Sequence, residues 1–222
     1  MNRNQSDIAY EFLRSKLISR ELSAGSRVRY GPLGDQIGMS ATPVREAIGR
    51  LASEGLVDLV PQAGAVVKRL SRSDAVEVFE MREAIEPYAA AKAAQLIGLH
   101  QLKVLQGTLD QILQLLERSK AKTLNDKHAR QFDEADLEFH LTILRSTENR
   151  RMLKVVSDYH VLTEIIGVDR HSYSRDVVAL TVDDHAAILD GLRRRDGDAA
   201  REAMLTHIRN SRQLTLTGMG KG

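Results

Sequence analysis

The stretch DLEFHLTIL, residues 136–144, sets Asp136 and His140 four residues apart beside a stripe of Leu137, Leu141 and Leu144, widened by Ile143. On a helix, an i, i+4 pair projects from one face, so this carboxylate and imidazole can reach one point. Two later histidines sit in similar company. His185 begins a stripe of Ile188, Leu189 and Leu192, and His207 continues one of Ala200, Ala203 and Met204. Between them, RRDGDA offers a helix-to-helix turn near Gly197. Each histidine lies about eleven residues from position 196, so at ~1.5 Å per residue an antiparallel hairpin returns both to one height. Three imidazoles and a carboxylate on apolar faces make a donor set for a divalent metal. Nitrogen and oxygen donors without sulfur suit Zn²⁺, Ni²⁺, Mn²⁺ or Fe²⁺ and do not choose among them. Taken singly, each histidine also reads as a hydrogen-bonded core residue. His100, His128, His160 and His171 lack such partners and read as structural or solvated.

A metal-dependent enzyme of the helical-bundle type is the competing use of such a cluster. Its usual signatures are missing. There is no His-Glu-x-x-His pair, and neither His140 nor His207 has a Glu three residues earlier, as a di-iron bundle requires. No phosphate loop or Gly-x-Ser-x-Gly elbow occurs, and the chain has no cysteine for a nucleophile, a disulfide or a thiolate metal site.

Helices must position the four donors, and the composition separates them from what comes before. Three of the four prolines (Pro32, Pro43, Pro61) and seven of the fifteen glycines precede residue 71. Residues 1–70 carry ten Lys/Arg against seven Asp/Glu, whereas the whole chain is only +2. That mild basic excess permits a polyanionic partner for the first part. We expect a turn-rich domain over residues 1–70, a link at 71–73, an all-helical domain over 74–217 and a disordered tail at 218–222. No apolar run is long enough for a membrane span, and MNRNQSDIAYEF has no apolar secretory core, so the expectation is a cytoplasmic protein.

In the first seventy residues, Ile8, Phe12 and Leu17 mark a helix over roughly 6–20. Pro32 suits the first position of a short second helix that Gly38 closes. Thr42 reads as the N-cap of a third helix, with Pro43 next and a stop at Gly55. LVDLV and AVV are two short β segments around PQAG. Three helices and a β wing are the layout of a winged helix-turn-helix. Ser40, Thr42, Arg45 and Arg50 then lie on the helix that enters a major groove by its N-terminal part. Small hydroxyls admit phosphate, and a guanidinium can grip guanine O6 and N7. The alternative is a solvated arginine face.

GMSATPVREAIGRLASEGLVDLVPQAGAVV resembles the DNA-binding domain of the GntR superfamily of transcriptional regulators. The resemblance implies DNA contacts for Ser40, Thr42, Arg45 and Arg50, with Gly64 at the wing tip near the minor groove. Ala41 and Gly31 stand where relatives often carry arginine, so an operator sequence does not transfer, and Arg29 partly replaces the second. From residue 74 the chain is helical, with helices expected at 74–97, 99–119, 123–146, 149–170, 174–195 and 197–216 and a kink at Pro87. EVFEMREAIEPYAAAKAA, DLEFH and the last helix pair are similar to the FCD ligand-sensing domain of GntR regulators. That resemblance implies metal binding at Asp136, His140, His185 and His207.

The expected fold is mainly α, a winged helix-turn-helix followed by an antiparallel helical bundle. The expected function is that of a homodimeric regulator of an inverted-repeat DNA operator, responsive to a small organic acid. Arg82, on the Val78, Ile85 and Ala89 face, is the first candidate to clamp the effector carboxylate, and Arg170 the second. A dimer-interface or intrabundle salt bridge is the alternative for Arg82. A regulator whose effector pocket holds no metal also stays open.

Overall fold

The computed structural model describes residues 4–19, 21–61, 64–69, 71–119, 121–166 and 173–219. The chain divides into two compact units, one of residues 1–71 with 161–167, the other of residues 72–160 with 168–222.

The first unit orders α1 (Gln5–Ile18), β1 (Arg27–Val28), α2 (Tyr30–Gln36), α3 (Ala41–Ser53), β2 (Val57–Val60) and β3 (Gly64–Val67). Val44, Ala47, Ile48 and Leu51 recur at helical spacing on α3 and are buried against Ala9, Leu13 and Leu17 of α1. The opposite face of α3 is left exposed, with Thr42, Arg45, Glu46 and Arg50 on it. Ser40, not Thr42, is the N-cap residue, and its side chain makes no capping hydrogen bond. Pro43 is thereby the third helical residue, still in the first turn where a missing N–H costs no intrahelical bond. Likewise α2 begins at Tyr30, two residues ahead of Pro32.

The sheet has three antiparallel strands in the order β1-β3-β2 rather than the two segments expected. Val28 pairs with Ala65, and Val60 with Gly64. Gly64 has φ +96°, and a Cβ there would stand 2.6 Å from the Val28 carbonyl oxygen. Only glycine lets β3 start this close to β1.

The second unit comprises α4 (Arg72–Leu96), α5 (Leu99–Arg118), α6 (Asp126–Ser146), the larger part of α7 (Arg150–Ile166), α8 (Arg175–Arg193) and α9 (Gly197–Gly218). α4 is one helix through the buried Pro87. α6 starts three residues later than expected, because Thr123 forms a β-bridge with Ser174 and Asn125 takes the cap, accepting from the His128 N–H at 2.9 Å. The expected end of α7 at residue 170 lies outside the described residues, as does most of the expected tail, although Gly218 still belongs to α9. Phe79, Ile97, Ile112, Phe132, Phe139, Ile188, Leu192 and Met204 share one core drawn from α4, α5, α6, α8 and α9.

The α8–α9 hairpin is tightly specified. A Cβ on Gly191 would lie 2.7 Å from the Ala200 nitrogen, so the two backbones touch there. Arg195 turns the chain at φ +55°, and Asp196 caps α9 by accepting from the Ala199 N–H at 3.0 Å. The Arg195 guanidinium donates to the carbonyls of Ala94, Gln95 and Ile97, closing the C-terminal end of α4. Among the described residues, no helix is long and apolar enough to cross a membrane.

Candidate metal centre

Asp136 and His140 come from α6, His185 from α8 and His207 from α9. One donor atom from each lies within 4.8 Å of all the others. The three imidazoles are buried, and Asp136 is partly exposed at the rim. His140 Nε2 stands 3.1 Å from His207 Nε2, and His185 Nε2 stands 3.4 Å from Asp136 Oδ1. Donors at ~2.0–2.1 Å from one cation are spaced roughly 2.9–3.4 Å apart in octahedral or tetrahedral geometry, so these separations fit a shared ion.

Two carboxylates stand behind the imidazoles of His140 and His207. Glu86 Oε2 of α4 lies 2.5 Å from His140 Nδ1. Asp184 Oδ2 lies 3.3 Å from His207 Nδ1 and also accepts from Asn210 Nδ2 at 2.9 Å. In a neutral imidazole, a carboxylate at Nδ1 favours the tautomer that carries its proton there, which would turn the two Nε2 lone pairs toward each other. Two lone pairs 3.1 Å apart repel unless a cation or an extra proton stands between them. His185, fully buried, has no hydrogen-bond partner on either ring nitrogen among the described residues, and its ring stacks on Phe139 at 3.9 Å. Orphaned buried imidazole nitrogen and opposed lone pairs are both satisfied by a divalent cation, so the residues present fit one.

Glu86 anchors a second cluster. Arg82 donates from Nε to Glu86 Oε1 at 2.7 Å, and His160 Nε2 lies 3.4 Å from the same oxygen. Glu86, His140 and His160 also converge closely enough to share an ion, but the Arg82 guanidinium beside them opposes a cation there. Burial alone would raise the Glu86 carboxyl; Arg82, then His140 and His160, hold it well below the usual carboxylate range. Burial, followed by the Arg82 charge, lowers His160 to about 4. His185 is pushed well down by burial and by His207 and His140. His207 is lowered by burial, partly offset by its Asp184 hydrogen bond.

The structure thus brings together the four residues expected from spacing. It places Arg82 in the intrabundle salt bridge weighed as its alternative, rather than free in the site. Arg170 lies outside the described residues. Glu86, Asp184 and His160 were missed. Glu86 follows Arg82 by one turn on the same inward face, and Asp184 directly precedes His185, so both were within reach of the same spacing argument.

In the first unit, Ser40, Thr42 and Arg45 are exposed around the N-terminal turn of α3. The Arg45 guanidinium lies over the Tyr30 ring at 5.4 Å. Arg50 is bound to Asp7 at 2.6 Å and stacked over Tyr10 at 4.1 Å. Gly64 is paired with Val60 at the base of the wing turn, and the tip residues 62–63 are outside the described set.

Comparison with known proteins places this architecture. Residues 5–67 match the model of bacterial regulatory proteins of the gntR family, and residues 77–210 match the FCD domain. The chain belongs to the GntR family, FCD branch. A probable D-xylose utilization operon transcriptional repressor of Paenarthrobacter nicotinovorans is 27% identical over 89% of this chain and 83% of its own length. The HTH-type transcriptional repressor RspR of Escherichia coli is 29% identical over 90% of this chain and 83% of its own length. Among solved structures, E. coli McbR/YncC superposes with a TM-score of 0.79 at 21% identity, over 94% of this chain and 95% of that one. This GntR-family chain is therefore a transcriptional regulator, and its named relatives are regulators rather than enzymes.

The lowered imidazoles set an acid limit for the GntR-family protein without metal. A buried histidine whose folded value lies below the ordinary 6.5 takes its proton in the unfolded chain first. Stability is then lost as pH falls from 6.5 through about 4, the His160 value. Glu86 acts in the same direction below its ordinary 4.5. Chelator-treated protein should unfold at clearly lower temperature at pH 5 than at pH 7.5; equal midpoints contradict the buried neutral imidazoles.

Proposed function

We propose that this GntR-family regulator holds one divalent metal on Asp136, His140, His185 and His207, and binds an inverted-repeat operator as a homodimer whose affinity is set by a small carboxylate effector. The observation that carries the metal is the pair of Nε2 atoms 3.1 Å apart on His140 and His207, each ring backed by a carboxylate at Nδ1. Bound there, the cation would supply a Lewis-acid anchor for an effector carboxylate at any coordination position the four side chains leave open. Asp136 at the rim gives such a ligand its approach. Zn²⁺, Ni²⁺, Mn²⁺ and Fe²⁺ all suit these donors.

Arg82 favours an anionic effector through its field, since its charge reaches His160, His185 and His207. A direct grip on the effector needs Glu86 to release it. Arg170 remains the second candidate of the effector reading. For DNA, Ser40 and Thr42 offer hydroxyls to phosphate, and Arg45 offers the base-reading guanidinium at the exposed start of α3. Arg50 reaches a phosphate by leaving Asp7, an exchange costing about 0–1 kcal/mol for so exposed a pair. Gly64 contributes by shaping the wing through its positive φ.

Three measurements follow. Purified protein should contain about one equivalent of divalent metal per chain by elemental analysis, and His185→Ala with His207→Ala should empty it; full metal in the double variant sinks the assignment. Arg45→Ala should cost about 1–3 kcal/mol of operator discrimination per half-site. Unchanged preference for operator over scrambled DNA would remove Arg45 from base reading. Finally, operator affinity titrated with a panel of small mono- and dicarboxylic acids should shift for at least one of them in metal-loaded protein and not in the double variant. A panel without effect counts against the carboxylate effector.

A further inference from the structure

Among the described residues, α4 has a face that none of its neighbours uses. Phe79, Ala90, Ala93 and Ala94 enter the main core, and Ala89 with Ile85 packs on Leu144 and Val156. On the flank toward α9, Glu80 and Glu83 are held by Arg212 and Arg209. Between these flanks runs a stripe of Glu77, Met81, Ala84 and Tyr88, all exposed, continued by the partly exposed Lys92. Met81 is 40% and Tyr88 60% exposed, large values for apolar residues at helical spacing. Glu77 and Lys92, which bracket the stripe, make no ion pair among the described residues, although Glu80 and Glu83 beside them do.

The stripe is its own complement. When a second α4 runs antiparallel to the first about a two-fold axis between Ala84 and Ile85, facing residue numbers have a constant sum. Met81 then meets Tyr88 twice, and Glu77 meets Lys92 twice. Parallel pairing would set Glu77 on Glu77 and Lys92 on Lys92, like charge on like. Sliding the antiparallel register by one turn separates both ion pairs and faces Glu77 or Lys92 with an apolar residue. Ala84 at the axis admits close backbone approach, and thioether against phenol ring is a favourable contact. From Glu77 to Lys92 is fifteen residues, or about 22 Å at ~1.5 Å each, four turns of contact.

We infer that the exposed stripe of α4 is the two-fold interface of the homodimer, with Tyr88 and Met81 as its anchors and the Glu77–Lys92 pairs fixing register and direction. The inference rests on the homodimer reading above and specifies its surface. It also places Arg82 and Glu86 on the inner side of the helix whose outer side forms the interface.

The chain has no cysteine, so Ala84→Cys introduces a single thiol. A short bismaleimide should join full-length, metal-loaded Ala84→Cys into a covalent dimer. Leu113→Cys and Leu180→Cys, each at a site 38% exposed on α5 and α8, should stay single chains on a denaturing gel. By sedimentation, Tyr88→Glu should weaken the dimer at least ~10-fold, the scale of losing an interface anchor, with unchanged circular dichroism because the side chain is exposed. Lys92→Glu should weaken it too, and Glu77→Lys with Lys92→Glu should restore it. Wild-type protein that sediments as a monomer at every concentration overturns the homodimer reading itself. A stable dimer that neither crosslinks at position 84 nor responds to Tyr88→Glu overturns the α4 interface alone.

Discussion

A carboxylate that is only 1% exposed, Glu86, is the constraint around which the helical unit is built. Removing such a charge from water costs several kcal/mol, and attraction to a partner repays it only with good geometry on both oxygens. Both oxygens are engaged. Arg82 takes Oε1 from one turn earlier on the same helix, and His140 takes Oε2 from α6. His160 adds a third contact from α7. The charge therefore fixes the register of α4 against α6 and α7 more narrowly than the alanines around it could. Ala89, Ala90, Ala93 and Ala94 slide past neighbours with little penalty, whereas a displaced Glu86 would leave an uncompensated charge.

The same charge reaches the donor set through His140. With the proton on Nδ1, Nε2 would present a lone pair, and Asp184 favours the same tautomer for His207. The arrangement is unfavourable for a protein alone, because it aims two lone pairs at each other and leaves His185 without a hydrogen bond among the described residues. Buried polar atoms left unsatisfied cost about 1–3 kcal/mol each. A fold that keeps several of them, two backed by a carboxylate, accords with the proposed metal site. Phe139 serves the same end, since its parallel stacking holds the His185 ring plane without consuming either nitrogen.

Much of this was legible in the sequence because it rests on helical periodicity. The i, i+4 spacing of Asp136 and His140, and the equal heights of His185 and His207, follow from rise and turn alone. The parts that escaped depend on partners distant in sequence. β1 is two residues, Arg27 and Val28, whose strand character comes entirely from pairing with Ala65 and Val66. The start of α6 moved because Thr123 bridges Ser174 some fifty residues later. Glu86 escaped for another reason. α4 is alanine-rich, so small residues appear on buried and exposed faces alike, and periodicity does not mark Glu86 as buried. Arg82 lies on the Val78, Ile85 and Ala89 face, and its partner Glu86 is one turn on.

α4 joins features that would otherwise be independent. Its inner face carries Arg82 and Glu86, the latter in contact with His140 Nδ1, and its outer face carries the Met81–Tyr88 stripe. An effector can regulate only by binding one state of the protein better than another. A carboxylate arriving among the donors would compete with Glu86 for the positive charge of Arg82. The helix that must yield in that competition is the one whose opposite side would face the second copy. Packed helices shift between discrete arrangements rather than deforming smoothly, because interiors are close-packed. A small change at Glu86 would then move α4 as a body, and with it the relation between two protomers on a two-fold operator. Sequence alone tied the donor set to sensing; the placement of Glu86 supplies the element through which sensing would act.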